Sequence, residues 1–115
     1  MSIDQAQVVD AIGLDPLSGE VVLTISDHLD WSDIENHIIL LQEKLNAYLA
    51  FVESGEIEES YPKAVGRKAR IDLITKFEVV GDAQATIARM REILRGAGIE
   101  FRTAVLGGID RKQEI

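Results

Sequence analysis

Imidazole and carboxylate groups, which commonly bind divalent metals or move protons, are concentrated in one short stretch of this 115-residue sequence. The stretch reads Asp27-His28-x-Asp30-x-x-Asp33-x-x-x-His37. Asp33 and His37 have the spacing of one helical turn, so both would lie on one face of a helix. His28 and Asp30 precede that helix and could fold back towards it. The candidate metal ligands, for zinc or another divalent ion, are therefore His28, Asp30, Asp33 and His37.

Two other interpretations of these residues stay open. Asp30 and Asp33 precede a predicted helix, so their carboxylates could cap its free backbone N–H groups. His37 lies at the edge of a predicted apolar stripe, where a histidine is often a packed and hydrogen-bonded core residue. A contact with a partner protein is the third possibility. The spacing lacks the HExxH pattern of metalloproteases, and we expect no cofactor.

Trp31 is the only tryptophan of the sequence and lies beside the same helix start. An apolar residue at this place can staple the first turns of a helix to the core. A tryptophan can equally anchor an interface with a partner.

Other catalytic signatures are missing from the sequence. There is no cysteine, which excludes a cysteine nucleophile and disulfide bonds. The sequence has no G-x-S-x-G elbow and no phosphate-binding G-x-x-x-x-G-K loop. This composition favours a protein that is not an enzyme.

The charges are distributed unevenly along the chain. Residues 1–60 carry 13 acidic side chains and one basic side chain (−12), and residues 61–115 carry 7 acidic and 11 basic ones (+4), which gives −8 in total. An acidic total disfavours nucleic acid and anionic membranes as partners. Either the two halves neutralise each other within one domain, or the acidic half meets a basic protein or a second copy.

Alternation of apolar and polar residues predicts four strands, over residues 8–14, 20–26, 70–79 and 99–106. Asp15-Pro16-Leu17-Ser18-Gly19 is typical of a turn, because proline presets φ and glycine accepts a positive φ. The first two strands should therefore form a hairpin.

Apolar residues at helical spacing predict two long helices. The first helix starts at Ile34 and ends before Gly55, and the residues that could cap its start are Asp30, Ser32 and Asp33. The second helix starts at Asp82, its predicted cap, and ends at Gly96. The order ββαβαβ predicts an α+β fold, a two-layer sandwich with a four-stranded mixed sheet and two helices on one face. We expect a single domain over residues 1–115, with loose termini at 1–7 and 107–115.

The first helix has more apolar surface than contact with a sheet requires. Leu40, Ala47 and Phe51 form a second flank, which should meet another helix in this chain or in a partner. A loop over residues 56–67 follows, and its length makes it a candidate recognition surface. Its glutamates are expected to be neutralised locally by Lys63, Arg67, Lys68 and Arg70. The candidate partner-binding residues are Trp31, Leu40, Phe51, Glu56, Glu58, Glu59, Arg67 and Lys68.

The sequence contains, in order, the blocks VDAIGLD, GEVVLTISDHLDW, LLQEKLNAYLAFVESGEI and SYPKAVGRK. Together they resemble a family of small bacterial proteins that is catalogued only as a domain of unknown function. The resemblance runs from near Val9 to near Val105. It implies a small bacterial protein and carries over no activity.

These observations favour a non-enzymatic binding or interaction protein whose partner is a protein, with a homodimer as one form. In a second version, its carboxylates mask a basic protein partner, because dense carboxylates steer association. The alternative is a small metal-binding protein or metal-dependent enzyme that uses the 27–37 turn. The N-terminal residues lack the pattern of a signal peptide, and the longest apolar run, residues 38–41, is too short to cross a membrane. We therefore expect a cytoplasmic protein with neither membrane nor nucleic acid as a partner.

Overall fold

A computed structural model of the protein describes residue 3 and residues 9–106. In this part of the chain the elements are β1 (Ala11–Leu14), β2 (Val21–Asp27), α1 (Ile34–Glu53), α2 (Glu56–Ser60), a 3₁₀ turn (Pro62–Ala64), β3 (Ala69–Thr75), α3 (Gly81–Gly96) and β4 (Glu100–Val105). The predicted loose termini, 1–7 and 107–115, lie outside the described residues, with the exception of Ile3. Ile3 is fully buried, and its backbone N–H donates to the carbonyl of Ser26 at 3.1 Å.

The four strands lie side by side in the order β1-β2-β3-β4. β1 is antiparallel to β2, whereas β2, β3 and β4 are mutually parallel. Parallel neighbours need a long crossover, which α1 provides between β2 and β3 and α3 provides between β3 and β4. The predicted α+β fold with a four-stranded mixed sheet is confirmed, and α2 is a short additional helix. Gly19 closes the β1–β2 hairpin at φ +79°.

The hydrophobic core lies between one face of the sheet and the helices. The inward-facing strand residues that are buried are Val21, Leu23, Ile25, Ile71, Leu73 and Phe101. The apolar residues that the two long helices bury are Leu41, Leu45 and Tyr48 of α1 and Ala83, Ile87, Met90 and Leu94 of α3. These sets follow the periods of two and 3.6 residues, so the pattern of the sequence decides which face each element buries.

The opposite face of the sheet carries two neighbouring rows of alternating charge. Arg70 of β3 lies opposite Glu100 of β4, and Asp72 lies opposite Arg102. Oppositely charged side chains also pair within each strand. In β3, Nε of Arg70 lies 2.9 Å from Asp72, and in β4, Nε of Arg102 lies 2.9 Å from Glu100. Because the charges neutralise one another, this face is suited to contact with water.

Several boundaries differ from the predicted ones: β1 begins at Ala11 rather than at residue 8, and β2 extends to Asp27. β3 ends at Thr75 because its partners β2 and β4 end at the matching positions Asp27 and Val105. The cap position of α3 is Val80, which makes no side-chain cap, and Asp82 lies within the first turn instead. The 56–67 segment is a short helix followed by a 3₁₀ turn rather than a continuous loop.

Arg70 also ties the β1–β2 turn to the centre of the sheet. One of its terminal nitrogens lies 2.8 Å from Asp15 and 3.0 Å from Glu20. The other carboxylate oxygen of Asp15 accepts the backbone N–H of Leu17 at 2.9 Å. The hydrogen bond from Arg70, and then the one from Leu17, lower the pKa of Asp15 from 3.8 to about 2.

Asp15→Asn should therefore destabilise the protein in a pH-dependent way. Because the folded-state pKa is below the unfolded value, the carboxylate stabilises the fold above about pH 4, and this contribution is lost as the pH falls towards 2. Urea denaturation should give a lower midpoint for Asp15→Asn than for the wild type near neutral pH, with a difference that shrinks in acid. Glu43→Gln, which changes an exposed carboxylate, is the matched control. A difference of the same size at neutral and acid pH would contradict the assignment.

Candidate functional site

A buried carboxylate and a buried imidazole meet where the sheet joins α1. Asp27 ends β2 in the same inward-facing row as Ile25, so its side chain enters the core. His37 reaches this carboxylate from the second turn of α1. The distance from Nε2 of His37 to Oδ2 of Asp27 is 2.6 Å, and the two side chains are only 2% and 0% exposed. The pair therefore connects the helical layer with the sheet in a site without contact to bulk water.

The remaining atoms of the pair are also occupied. Nδ1 of His37 lies 2.9 Å from the backbone carbonyl of Asp30, and a carbonyl only accepts, so Nδ1 carries a hydrogen. Oδ1 of Asp27 accepts the backbone N–H of Leu29 at 3.1 Å. Both ring nitrogens of His37 thus have protein partners, and neither offers a free lone pair to a metal ion or a substrate.

Trp31 covers the imidazole of His37. The two rings are stacked, with centroids 3.6 Å apart and planes inclined by 14°. Only 7% of Trp31 is exposed, so its indole packs inside the protein and not on an open binding surface. Its Nε1 is buried and makes no hydrogen bond.

Two aspartates of the 27–37 turn hold the start of α1. Asp33 is the N-cap, and its side chain accepts the backbone N–H of Asn36 at 3.2 Å. Asp30 accepts both the backbone N–H and the hydroxyl of Ser32, at 3.1 Å and 2.6 Å. These hydrogen bonds, the one from the hydroxyl first, lower the pKa of Asp30. Of the three predicted caps, Asp33 therefore caps α1, whereas Asp30 and Ser32 bind each other in the turn before the helix.

The structure brings His37 together with Asp27, which was not among the predicted ligands, while His28 lies exposed. Within residue 3 and residues 9–106, no three His, Cys, Asp or Glu side chains are grouped so that they could hold a metal ion. The metal site at His28, Asp30, Asp33 and His37 stays a prediction. Asp27 could have been found from the alternation of β2, which continues inward one step beyond Ile25.

A second buried pair joins α1 to the start of β1. Nζ of Lys44 lies 2.8 Å from Asp10, and both side chains are buried. The other oxygen of Asp10 accepts the backbone N–H of Ser26 at 2.8 Å. The hydroxyl of Tyr48 donates to the carbonyl of Thr24 at 3.0 Å, and burial raises the pKa of Tyr48 to about 12. No spacing in the sequence identified Lys44 as a buried residue.

An acidic corner, defined as Glu53, Glu56, Glu58 and Glu59, lies at the junction of α1 and α2. Gly55, at φ +84°, turns the chain between the two helices. Ile57 is buried and anchors α2, whereas the four glutamates are exposed. None of these glutamates forms an ion pair in the described part of the chain.

None of the four basic residues that were predicted to neutralise this corner forms an ion pair with one of its glutamates in the described part of the chain. Arg70 pairs instead with carboxylates of the β1–β2 turn. Arg67 donates to the backbone carbonyls of Lys63 and Gly19, at 2.9 Å and 2.8 Å. The two arginines thus stabilise the β1–β2 turn, and Arg67 and Lys68 also line a groove with Glu58.

Two shallow grooves flank the acidic corner. The first, of about 360 Å³, is lined by Val9, Ala47, Tyr48, Ala50, Phe51, Ser54 and Glu56. The second, of about 260 Å³, includes Glu58, Arg67 and Lys68 in its lining. Leu40, Ala47 and Phe51, the predicted second flank of α1, are half-buried, and Phe51 lines the first groove together with Val9 and with Glu56 of α2.

The fold and the buried contacts define a small two-layer α+β protein whose longest helix is held by two buried pairs of ionisable side chains. The chain belongs to DUF6572, a family of unknown function whose model matches residues 1–107. The resemblance to a domain of unknown function is thereby confirmed. No curated protein and no solved structure matches the chain significantly. Among the described residues, no helix is long and apolar enough to cross a membrane.

The metal hypothesis predicts that tag-free protein contains a stoichiometric divalent ion, and that Asp33→Ala and His37→Ala each remove it. Elemental analysis by mass spectrometry of the purified variants measures this directly. Metal-free wild-type protein, or stoichiometric metal that survives both substitutions, would contradict a site at this turn.

His37→Leu should destabilise the fold by about 3–5 kcal/mol, because it leaves the carboxylate of Asp27 buried without its partner. The double variant Asp27→Leu/His37→Leu should regain most of this loss, since it removes the buried charge as well. Urea denaturation measures both free energies of unfolding. His28→Leu, at an exposed position, is the control and should change stability by less than about 0.5 kcal/mol. A His37→Leu variant as stable as this control would show that the buried contact contributes little.

Proposed function

We propose that this protein is a non-enzymatic protein-binding module whose acidic corner binds a basic protein partner. One observation carries the proposal: four exposed glutamates without an ion pair in the described residues lie beside a groove that contains Phe51. Exposed carboxylates that form no close ion pair create a negative potential, which steers a positively charged partner towards them.

The backbone of α1 adds to this potential. The C-terminal end of a helix carries a partial negative charge, equivalent to roughly half an elementary charge. The last turn of α1 contains no basic residue, and Glu53 is its final residue. The partial negative charge of the helix end and the four carboxylates therefore both make the electrostatic potential at this corner more negative.

The groove beside Glu56 supplies the apolar part of the interface. Phe51, Ala47 and Ala50 offer apolar atoms in a space of about 360 Å³. An aliphatic side chain of the partner that is fully buried there would contribute about 1.5–3 kcal/mol. The glutamates would then set the orientation and the association rate, and the groove would supply much of the affinity.

Neutralising the corner should weaken binding to a basic probe. The probe is a synthetic peptide of alternating lysine and leucine residues, and the variant is Glu56→Gln/Glu58→Gln/Glu59→Gln. We expect its association rate to fall by about tenfold or more at low salt, because the steering potential is reduced. Surface plasmon resonance over a series of salt concentrations measures the rate and its salt dependence.

The matched control is Glu35→Gln/Glu43→Gln/Asp82→Asn, which changes the net charge equally at exposed positions outside the corner. It should retain most of the association rate. Phe51→Ala should instead increase the dissociation rate, because it removes apolar contact from the groove. If the two triple variants behaved alike, binding would depend on net charge alone and the acidic corner would not be the site.

A further inference from the structure

A polar cavity of about 480 Å³ is lined by residues of α3, of the loop that follows it and of the starts of β3 and β4. This volume is within the range of small-molecule sites in proteins. The charged residues of its lining are Glu20, Lys68, Arg91, Arg95 and Glu100. The lining therefore has a net charge of +1 (three basic minus two acidic), although the whole chain is acidic.

The two carboxylates of this lining bind arginines that do not line the cavity. Glu20 lies 3.0 Å from a terminal nitrogen of Arg70, and Glu100 lies 2.9 Å from Nε of Arg102. The hydrogen bond from Arg102 lowers the pKa of Glu100, so this carboxylate stays ionised and paired at neutral pH. Within the described residues, the cations of the lining therefore form no ion pair with its carboxylates.

Arg91 is the cation of the lining that the fold holds in place. It is half-buried, and its Nε donates to the backbone carbonyl of Phe101 at 3.1 Å, with Cζ 5.9 Å from the centroid of the Phe101 ring. Because a guanidinium is planar, this bond also fixes the orientation of the two terminal nitrogens. Among the described residues these terminal nitrogens have no hydrogen-bond partner. Arg91 thus keeps preoriented N–H donors for a group outside the chain.

The other two cations of the lining are exposed and available. Lys68 immediately precedes β3, and its ammonium group has neither an ion pair nor a hydrogen bond within residue 3 and residues 9–106. Arg95 follows Arg91 by one helical turn, so the two arginines are neighbours on the surface of α3. Arg95 pairs with Glu92 at 3.0 Å, but both side chains are about two-thirds exposed. Such a pair contributes little to stability, so a ligand can replace it at small cost.

We propose that this cavity binds the phosphate group of a small phosphorylated molecule. Lys68 and Arg91, the two cations without an ion pair among the described residues, match a phosphate monoester, which carries a charge of about −1.5 to −2 at pH 7. The guanidinium of Arg91 suits two phosphate oxygens, and the ammonium of Lys68 adds a point charge. The apolar residues of the lining, such as Ala69 and Phe101, would contact the rest of the molecule. This site contains no residue of the acidic corner, so it is a function in addition to the proposed one.

Titration of the ¹⁵N-labelled full chain with phenyl phosphate, followed by NMR, tests this site. The backbone amides of Gly98, Ile99 and Phe101 should show saturable shifts at millimolar ligand. Lys68→Gln and Arg91→Gln should each weaken binding by about tenfold or more, because each removes a charge-assisted contact. Lys68→Gln removes a side chain without a described contact, so it should keep the wild-type melting temperature and test binding even if Arg91→Gln is less stable.

The matched control variant is Arg89→Gln, which removes the same charge from an exposed position of α3 outside the lining and should bind as the wild type does. Benzenesulfonate, with the same ring and a single negative charge, is the matched control ligand and should bind more weakly. The inference would be overturned by an absence of saturable shifts, by equal loss of binding in Arg89→Gln, or by equal affinity for benzenesulfonate. The variant Glu56→Gln/Glu58→Gln/Glu59→Gln should still bind phenyl phosphate, so failure of this site and failure of the acidic corner are separate outcomes.

Discussion

The contact between His37 and Asp27 determines how α1 lies on the sheet. The period of two in β2 directs Asp27 inward after Ile25, into a place where an unpaired carboxylate would cost several kcal/mol. α1 must therefore lie at a position along the sheet, and at a rotation about its own axis, that bring a hydrogen-bonding side chain to Asp27. His37 is this side chain, and the ring of Trp31 covers the contact. The rest of the α1 stripe, including Leu41, takes its register from this point.

The pair of Lys44 and Asp10 fixes the same helix a second time. Lys44 follows His37 by about two helical turns, so both side chains lie on nearly the same side of α1. Asp10 also accepts the backbone N–H of Ser26, which holds the start of β1 against β2. Because α1 is held at two heights, both its tilt and its rotation are set. The apolar residues of the outer side of α1, such as Ile39, are therefore directed away from the core.

Much of the fold could be predicted from sequence, because the alternation of β2 and β3 and the cap at Asp33 are local patterns. The pairing of His37 could not be inferred from helical spacing. That spacing favours Asp33, one turn earlier, but the helix start requires Asp33 as its cap. Asp27 becomes the partner through strand position, which is visible only if β2 is extended by one residue beyond Ser26. The short helix α2 was also missed, since five residues are too few for a helical pattern to appear.

Some charged residues stabilise the fold through ion pairs, whereas the glutamates of the acidic corner do not. Arg70 binds three carboxylates, from the β1–β2 turn and from β3, and so joins segments that are distant in sequence. The glutamates of the acidic corner have no such role, because Ile57 attaches α2 to the core without them. Glu53 is even placed at the helix end where a negative charge is unfavourable. Since no close ion pair within the described residues compensates for this charge, a positively charged partner outside the chain is a natural source of compensation, which is why we propose that this corner binds one.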